Sequence, residues 1–244
     1  MRNIRLDICY DGTRYRGWQR LANQENTIQE KLERALSRIL GEPIEITGSG
    51  RTDAGTHAVC QVANFHCNSA MPAEEILAEL RKYLPEDIGI YSCKNVSPRF
   101  HSRLNAKTKT YRYRVWTGES PCVFDRKYVY ICRERFDIAA MQQGAAYFLG
   151  EHDFSAFCAN KNMKKSTIRY IERLQIEQTE NELIFSVTGN GFLHHMVRII
   201  VGTLLEVGRG ERDPDSIPAL FGAPRSDAGE LIPACGLCLM EVTY

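Results

Sequence analysis

The chain reads as an α+β protein of two ferredoxin-like halves, each in β-α-β-β-α-β order. The halves are expected to join through a mainly antiparallel sheet, with an active-site cleft between them. Three observations predict this. Period-2 apolar stretches and two period-3.6 stretches follow one another as β-α-β-β-α-β between Ile4 and Ile90. The same order recurs in the second part of the chain without any recurrence of sequence. No low-complexity linker separates the two parts, so a tight junction is expected between an N-terminal domain (1–105) and a C-terminal domain (106–244).

Ile4, Leu6, Ile8 and Tyr10 alternate as a strand does, and Asp11-Gly12 break it. A polar loop rich in arginine and aromatic residues follows. Thr27-Ile-Gln-Glu30 has the capping-box pattern and opens a helix with Ile28, Leu32, Ala35, Leu36 and Ile39 on one face, stopped by Gly41 and Pro43. Two strands are predicted around 44–48 and 58–66, with Ile44 and Ile46 before the intervening loop and Val59, Ala63 and Phe65 after it. Pro72 starts a second helix that turns Ile76, Leu77, Leu80 and Leu84 inward, Pro85 ends it, and Ile88 and Ile90 begin another strand.

In the second half Tyr111, Tyr113 and Val115 mark a strand, and a short hairpin-like stretch lies near Tyr128–Ile131. Asp137 caps a helix running through Met141, Ala145 and Phe148 to Gly150. Strands are predicted at 168–177 and 182–189 across Thr179-Glu-Asn, then an apolar helix over 194–207 and a last strand over 236–242.

At 244 residues, 43% hydrophobic and 25% charged, the chain has the composition of an ordinary globular protein and the length for a large core. Charges stand at the N-terminus where a signal peptide needs an apolar run, and no stretch approaches the ~20 apolar residues of a membrane span. A cytoplasmic protein with no membrane association is expected. Nine cysteines then read as small buried hydrophobes. Cys235-Gly-Leu-Cys238 is a lone CxxC; His57, Cys60, His66 and Cys67 would have to complete a zinc set. Strand alternation sends Cys60 and Cys67 to opposite faces, so no metal is expected.

A net charge of +1 says nothing about nucleic acid, but local charge does. Arg99, Arg103, Lys107, Lys109, Arg112 and Arg114 follow one another with no acid between them. Lys161, Lys164, Lys165 and Arg169 form a second cluster, and Arg14, Arg16 and Arg20, interleaved with Tyr15 and Trp18, a third. Singly each is ordinary solvated surface; converging, they suit a phosphate backbone.

The chain is organised around Gly48-Ser49-Gly50-Arg51-Thr52-Asp53-Ala54-Gly55-Thr56-His57. Three glycines among small side chains cannot pack a core, but they let backbone approach a ligand closely. The loop offers one cation (Arg51), one carboxylate (Asp53) and one imidazole (His57), and it presents Asp53 at a strand edge. The less favoured alternative, for the stretch alone, is an ordinary turn whose Asp caps a backbone N–H. In Lys109-Thr-Tyr111-Arg-Tyr113-Arg114, period 2 puts the tyrosines on one face and the arginines on the other. Such pairs more often pack a core than hold a ligand, but the basic setting strengthens the alternative that one of them stacks on a base. Arg198, single in an apolar helix, must reach solvent or meet an anion, with Asp53 a candidate partner. His194 and His195, as sequence neighbours, are expected to point apart and serve structure.

These residues carry a resemblance. The Gly48–His57 stretch resembles the active-site motif of the tRNA pseudouridine synthase A (TruA) family. Tyr10-Asp-Gly-Thr-Arg-Tyr-Arg-Gly17-Trp-Gln19, with Thr27-Ile-Gln29 downstream, is similar to that family's N-terminal signature. Lys109-x-Tyr111-x-Tyr113, Phe192-Leu-His-His-Met-Val-Arg198 and Gly236-Leu237-Cys-Leu239 match three further motifs in order, so the likeness runs from about residue 4 to the end. Ser49 and Thr56 depart from the small or apolar residues usual there, and neither reacts. The resemblance implies a two-domain α+β fold and a homodimer across which tRNA lies. The substrates it implies are uridines at roughly positions 38 to 40 of the anticodon stem-loop, which must be flipped out of the stack. It makes Asp53 the catalytic aspartate and Tyr111 the residue stacked on the target base. Arg51 becomes the support of the flipped nucleotide, and Arg198 and Leu237 the pocket residues that pair with the aspartate and pack the base. The isomerisation has no net redox change and no hydrolysis, so neither cofactor nor metal is required.

Two other functions remain open on sequence alone. A non-catalytic RNA-binding protein of similar fold would share the basic clusters and Tyr111, though not the Asp53–Arg51 pair. A cysteine- or zinc-dependent hydrolase would use Cys235, Cys238 or His57.

Overall fold

In a computed structural model, which describes residues 1–21, 25–160 and 165–244, the first predicted strand is β1 (Arg2–Tyr10). Ile4, Leu6 and Ile8 are fully buried on its inner face, each such side chain contributing about 1.5–3 kcal/mol of transfer free energy. Helix α1 (Ile28–Leu40) begins as the capping box requires: Thr27 Oγ1 accepts from the Glu30 N–H at 3.3 Å. The Glu30 carboxylate reaches back one residue further than the motif implies, to the Asn26 N–H at 2.8 Å. Gly41 ends the helix at φ +70°. β2 (Ile46–Gly48), β3 (His57–Cys67), α2 (Ala73–Tyr83) and β4 (Ile88–Val96) complete the first half in the expected order.

Contacts divide the chain into two compact units, Met1–Lys107 with Cys238–Tyr244, and Thr108–Leu237. In the first, β4, β1, β3 and β2 lie side by side, every pair antiparallel, which is the ferredoxin-like arrangement. β3 is therefore central, and Gln61, Val62, Ala63, Asn64 and Phe65 are all buried rather than alternating. Its two polar members are paired: Gln61 with Ser49 and the Gly50 carbonyl, Asn64 with Asn3 and the Ser102 N–H. Val59, expected inward with Ala63 and Phe65, is 44% exposed. It sits where the β1–β3 register slips between Ile8 and Tyr10, which resets the alternation.

The first unit also takes the end of the chain. β10 (Leu237–Val242) runs parallel to β3, pairing Cys238 with His57 and Leu239 with Ala58. The contact division thus differs from a split at 105/106 because these backbone bonds tie the C-terminal strand to the first unit.

In the second unit β5 (Lys109–Trp116), β9 (Glu182–Gly189), β8 (Ile168–Gln178) and β7 (Gly150–Asp153) form an antiparallel series. β6 (Tyr130–Ile131) pairs with β5 in parallel, so the stretch near Tyr128–Ile131 is not a hairpin. Asp137 caps α3 (Ile138–Ala146) through the Ala140 N–H at 3.0 Å, but the helix stops short of Gly150, which opens β7 at φ +94°. α4 (Met196–Gly208) is buried along most of its length. The fold is thus mixed α+β with mainly antiparallel strands. No helix among the described residues is long and apolar enough to cross a membrane.

Candidate active site

The loop bearing Asp53 is held by main-chain bonds from the segment that follows β1. The Trp18 N–H donates to the Thr52 carbonyl at 3.1 Å, the Gly55 N–H to Tyr15 at 3.3 Å, and the Thr56 N–H to the Asp53 carbonyl at 3.1 Å. Ser49 N–H donates to Val62 at 2.7 Å, anchoring the other end to β3. The Tyr10 hydroxyl shares a 2.8 Å bond with Thr52 Oγ1, and burial pushes the Tyr10 phenol well above its ordinary range. A Cβ on Gly12 would meet the Thr56 carbonyl, and one on Gly17 would lie 2.6 Å from the Thr52 carbonyl and 3.0 Å from the Asp53 carbonyl carbon. Gly17 also has φ +89°. Trp18 closes the bracket by lying against Gly48, where a Cβ would fall 2.5 Å from the indole. Asp53 emerges half-buried from this frame and Arg51 exposed.

His57 belongs to the bracket. Its Nδ1 accepts from the Gly12 N–H at 3.0 Å and lies 3.2 Å from Asp11 Oδ1. A ring nitrogen that accepts a proton donor cannot also donate, and Asp11 Oδ1 already accepts from the Thr13 N–H and hydroxyl, so we assign the Gly12 bond. Cys60 and Cys67 on β3 have separate surroundings, Asp7 and Val242 for one, Arg2 and Ser69 for the other, and burial raises both thiols. Burial likewise raises the Cys235 thiol, which points to the Val129 carbonyl at 3.3 Å; that is a packing thiol rather than a poised nucleophile.

Tyr111, Arg198 and Leu237 lie in the second unit, and a single segment ties two of their motifs together. Arg198 Nε donates to the Ile232 carbonyl at 2.8 Å, and the Tyr113 hydroxyl donates to the Pro233 carbonyl at 2.6 Å. Gly236, next to buried Leu237, lies on Tyr113: a Cβ there would sit 2.8 Å from the ring. The Gly229 N–H donates to Thr203 Oγ1 on α4, fixing the start of the same segment. Tyr113 is fully buried and Tyr111 is 7% exposed, so both tyrosines face inward as their spacing requires. Tyr111 meets Phe192 edge-on, centroids 5.2 Å apart at 87°. Phe192 and the Tyr10–Trp18 bracket are parts that sequence reasoning quoted in motifs without giving them work. The glycines spaced through Gly12–Gly17 were the available signal. His194 and His195 do not point apart: His195 adopts φ +65°, which brings the rings to a 3.7 Å centroid separation.

Several clustered cations are neutralised. Arg14 pairs with Asp87 at 2.5 Å, Arg20 with Glu33 at 2.9 Å, and Arg114 holds Glu182 through two bonds of 2.8 and 2.6 Å. Arg16, Arg51, Arg99, Arg103, Lys107 and Arg112 are exposed and have no ion pair among the described residues. Lys161 and Lys164 lie outside the described residues; Lys165 is exposed, and Arg169 donates to the Ser166 and Ile168 carbonyls.

Comparison with known proteins identifies the family. The family described as tRNA pseudouridine synthase matches residues 8–104 and 145–244. The chain is 43% identical to tRNA pseudouridine synthase A 2 of Bacillus cereus (strain ZK / E33L) and 44% identical to tRNA pseudouridine synthase A 1 of Clostridium tetani. Each alignment spans 245 residues and 100% of both chains. Among solved structures, a Cbf5-Nop10-Gar1 complex aligns with a TM-score of 0.40 and 11% identity over 97% of this chain and 48% of that one, too weak a likeness to carry an argument. The class so defined is that of isomerases that make pseudouridine. Within it, the chain belongs to the tRNA pseudouridine synthase family. A non-catalytic RNA-binding protein of the same fold is not favoured.

Proposed function

We propose that this chain isomerises uridine to pseudouridine in the anticodon stem-loop of tRNA, at roughly positions 38 to 40, by flipping the base and using Asp53 as the reacting carboxylate. The observation that carries the assignment is the bracketed loop: Tyr10, Gly12, Tyr15, Gly17 and Trp18 fix the backbone on which Asp53, the loop's single carboxylate, stands. The reaction breaks C1′–N1, rotates the uracil, forms C1′–C5, releases the C5 hydrogen as a proton and leaves N1 protonated, so that the product is an isomer of the substrate. Asp53 serves either by adding to the substrate or by taking a sugar proton; both demand its ionised form. The detached uracil has to stay captive, for which Tyr111 supplies a ring and Leu237 an apolar wall, with Arg198 as the carboxylate's cationic partner. Arg51 supports the flipped nucleotide. Exposed cations such as Arg99 and Arg112 hold phosphate and offset the few kcal/mol that flipping costs. The enzyme acts as a cytoplasmic homodimer. Tritium release from tRNA labelled with 5-³H-uridine tests the reaction, because forming C1′–C5 expels the label.

A further inference from the structure

A cavity of about 220 Å³ lies in the first unit beside the Asp53 loop, lined by Trp18, Gln19, Gln29, Ile46–Gly48, Gly50, Arg51 and Arg103. Its polar wall is prepared. Gln29 is spent on Glu33, the Ile46 carbonyl and the Arg20 N–H, so it cannot neutralise a ligand. Trp18, only 2% exposed, donates its indole N–H to no acceptor among the described residues. Gly48 and Gly50 add backbone to the lining, and a Cβ at Gly48 would strike the Trp18 ring.

Arg51 and Arg103 line the cavity, and no acidic residue lines it among the described residues. Arg103 is exposed, yet the turn that carries it is unusually well fixed. Ser102 Oγ donates to the Thr47 carbonyl at 2.5 Å, the Ser102 N–H donates to Asn64, and the Tyr244 hydroxyl donates to the Ser102 carbonyl. His101 Nδ1 accepts from the Arg103 and Leu104 N–H groups at 3.1 and 3.2 Å, and the His101 N–H donates to Asn105 Oδ1. A long cation with no ion pair among the described residues, on a turn pinned to β2, β3 and the C-terminus, is pre-organised to meet an anion brought from outside.

We propose that Arg51 and Arg103 grip a phosphodiester of the substrate RNA in this cavity, next to the nucleotide presented to Asp53, and that Arg103 is a positioning residue. Asp53 follows Arg51 by two residues, at most about 7 Å along the chain, so the anion site adjoins the reacting carboxylate. The inference rests on the reading of the chain as a tRNA-modifying enzyme. A guanidinium suits the role because it meets two phosphate oxygens at once, whereas an ammonium acts as a point charge.

The test compares the full-length wild type with Arg103→Ala, Arg103→Gln and Arg103→Lys, using unmodified tRNA transcript. Ala and Gln are expected to weaken tRNA binding about tenfold and to lower the slope of log affinity against log salt by about one. Lys should restore the slope and only part of the affinity. Single-turnover tritium release at saturating tRNA should fall in Ala and Gln and be partly restored by Lys, as a positioning role requires, while the melting temperature should stay near wild type because the side chain is exposed. Unchanged affinity and slope in Ala and Gln would overturn the proposal, as would a lowered melting temperature with an unchanged slope. If the wild type itself released no tritium, the underlying enzymatic reading would fail instead.

Discussion

Gly17→Ala isolates what the bracket around Asp53 does. Gly17 has φ +89°, a backbone region that costs a residue with a Cβ about 1–2 kcal/mol. The new methyl would also lie 2.6 Å from the Thr52 carbonyl, 3.0 Å from the Asp53 carbonyl carbon and 3.1 Å from the Ala54 nitrogen. All three are main-chain atoms that cannot rotate aside, so the loop must move, adding about 1–3 kcal/mol as overpacking does. For a chain of this length the sum lowers the melting temperature by on the order of 5–15 °C. Moving Asp53 by even a fraction of an ångström matters more to turnover, for which a loss of about 100-fold is expected. Affinity for tRNA, resting mostly on phosphate contacts outside the loop, should fall far less than turnover. Gly41→Ala is the control: it shares the positive φ, +70°, but nothing lies within 4 Å of its Cβ. It should lose a little stability and no activity. A Gly17→Ala enzyme with wild-type turnover would refute the claim that the bracket positions Asp53.

Three further outcomes are expected. Tyr111→Phe keeps the ring and its edge contact with Phe192 and should retain most activity. Tyr111→Ala should abolish activity and, because the side chain is 7% exposed, also lower stability by about 3–5 kcal/mol; equal failure of Phe and Ala would assign the hydroxyl a proton-transfer role. Binding of tRNA should fall steeply with salt, and neutral replacements at Lys161, Lys164 and Lys165 should flatten that dependence; affinity indifferent to salt would argue for another ligand. The Asn68 and Ser69 N–H groups hold the Glu42 carboxyl below its usual range. A depressed folded value stabilises above the unfolded value and is lost as pH falls through the folded one. The stability gap between wild type and Glu42→Gln should therefore be open at neutral pH and should shrink as the pH falls through the carboxyl's lowered range in denaturant titrations.

Features set by neighbours in sequence were legible beforehand. Thr27, Gly41 and Asp137 cap where their types and spacings say they should, since capping is a matter of three or four residues. The inward faces of β1 and β5 were readable from period 2 alone. What escaped was non-local. Nothing in Leu237–Val242 says that it pairs with β3, and nothing in Tyr130–Ile131 says that its partner strand runs parallel. Val59 was misplaced because a register slip depends on the facing strand. Arg114 looked like part of a free basic run until folding set Glu182 opposite it. At the site, the motif residues were visible as types in a loop, but the packing of Gly17 and Trp18 on that loop joins residues more than thirty positions apart.

The most direct measurement is tritium release from 5-³H-uridine-labelled tRNA by the wild type and by Asp53→Asn, with tRNA binding measured on both. The variant keeps the shape of the side chain and removes the anion. The wild type should release label, and the variant should release none while binding tRNA as before. Release by Asp53→Asn at the wild-type rate would contradict the assignment of Asp53 as the reacting carboxylate.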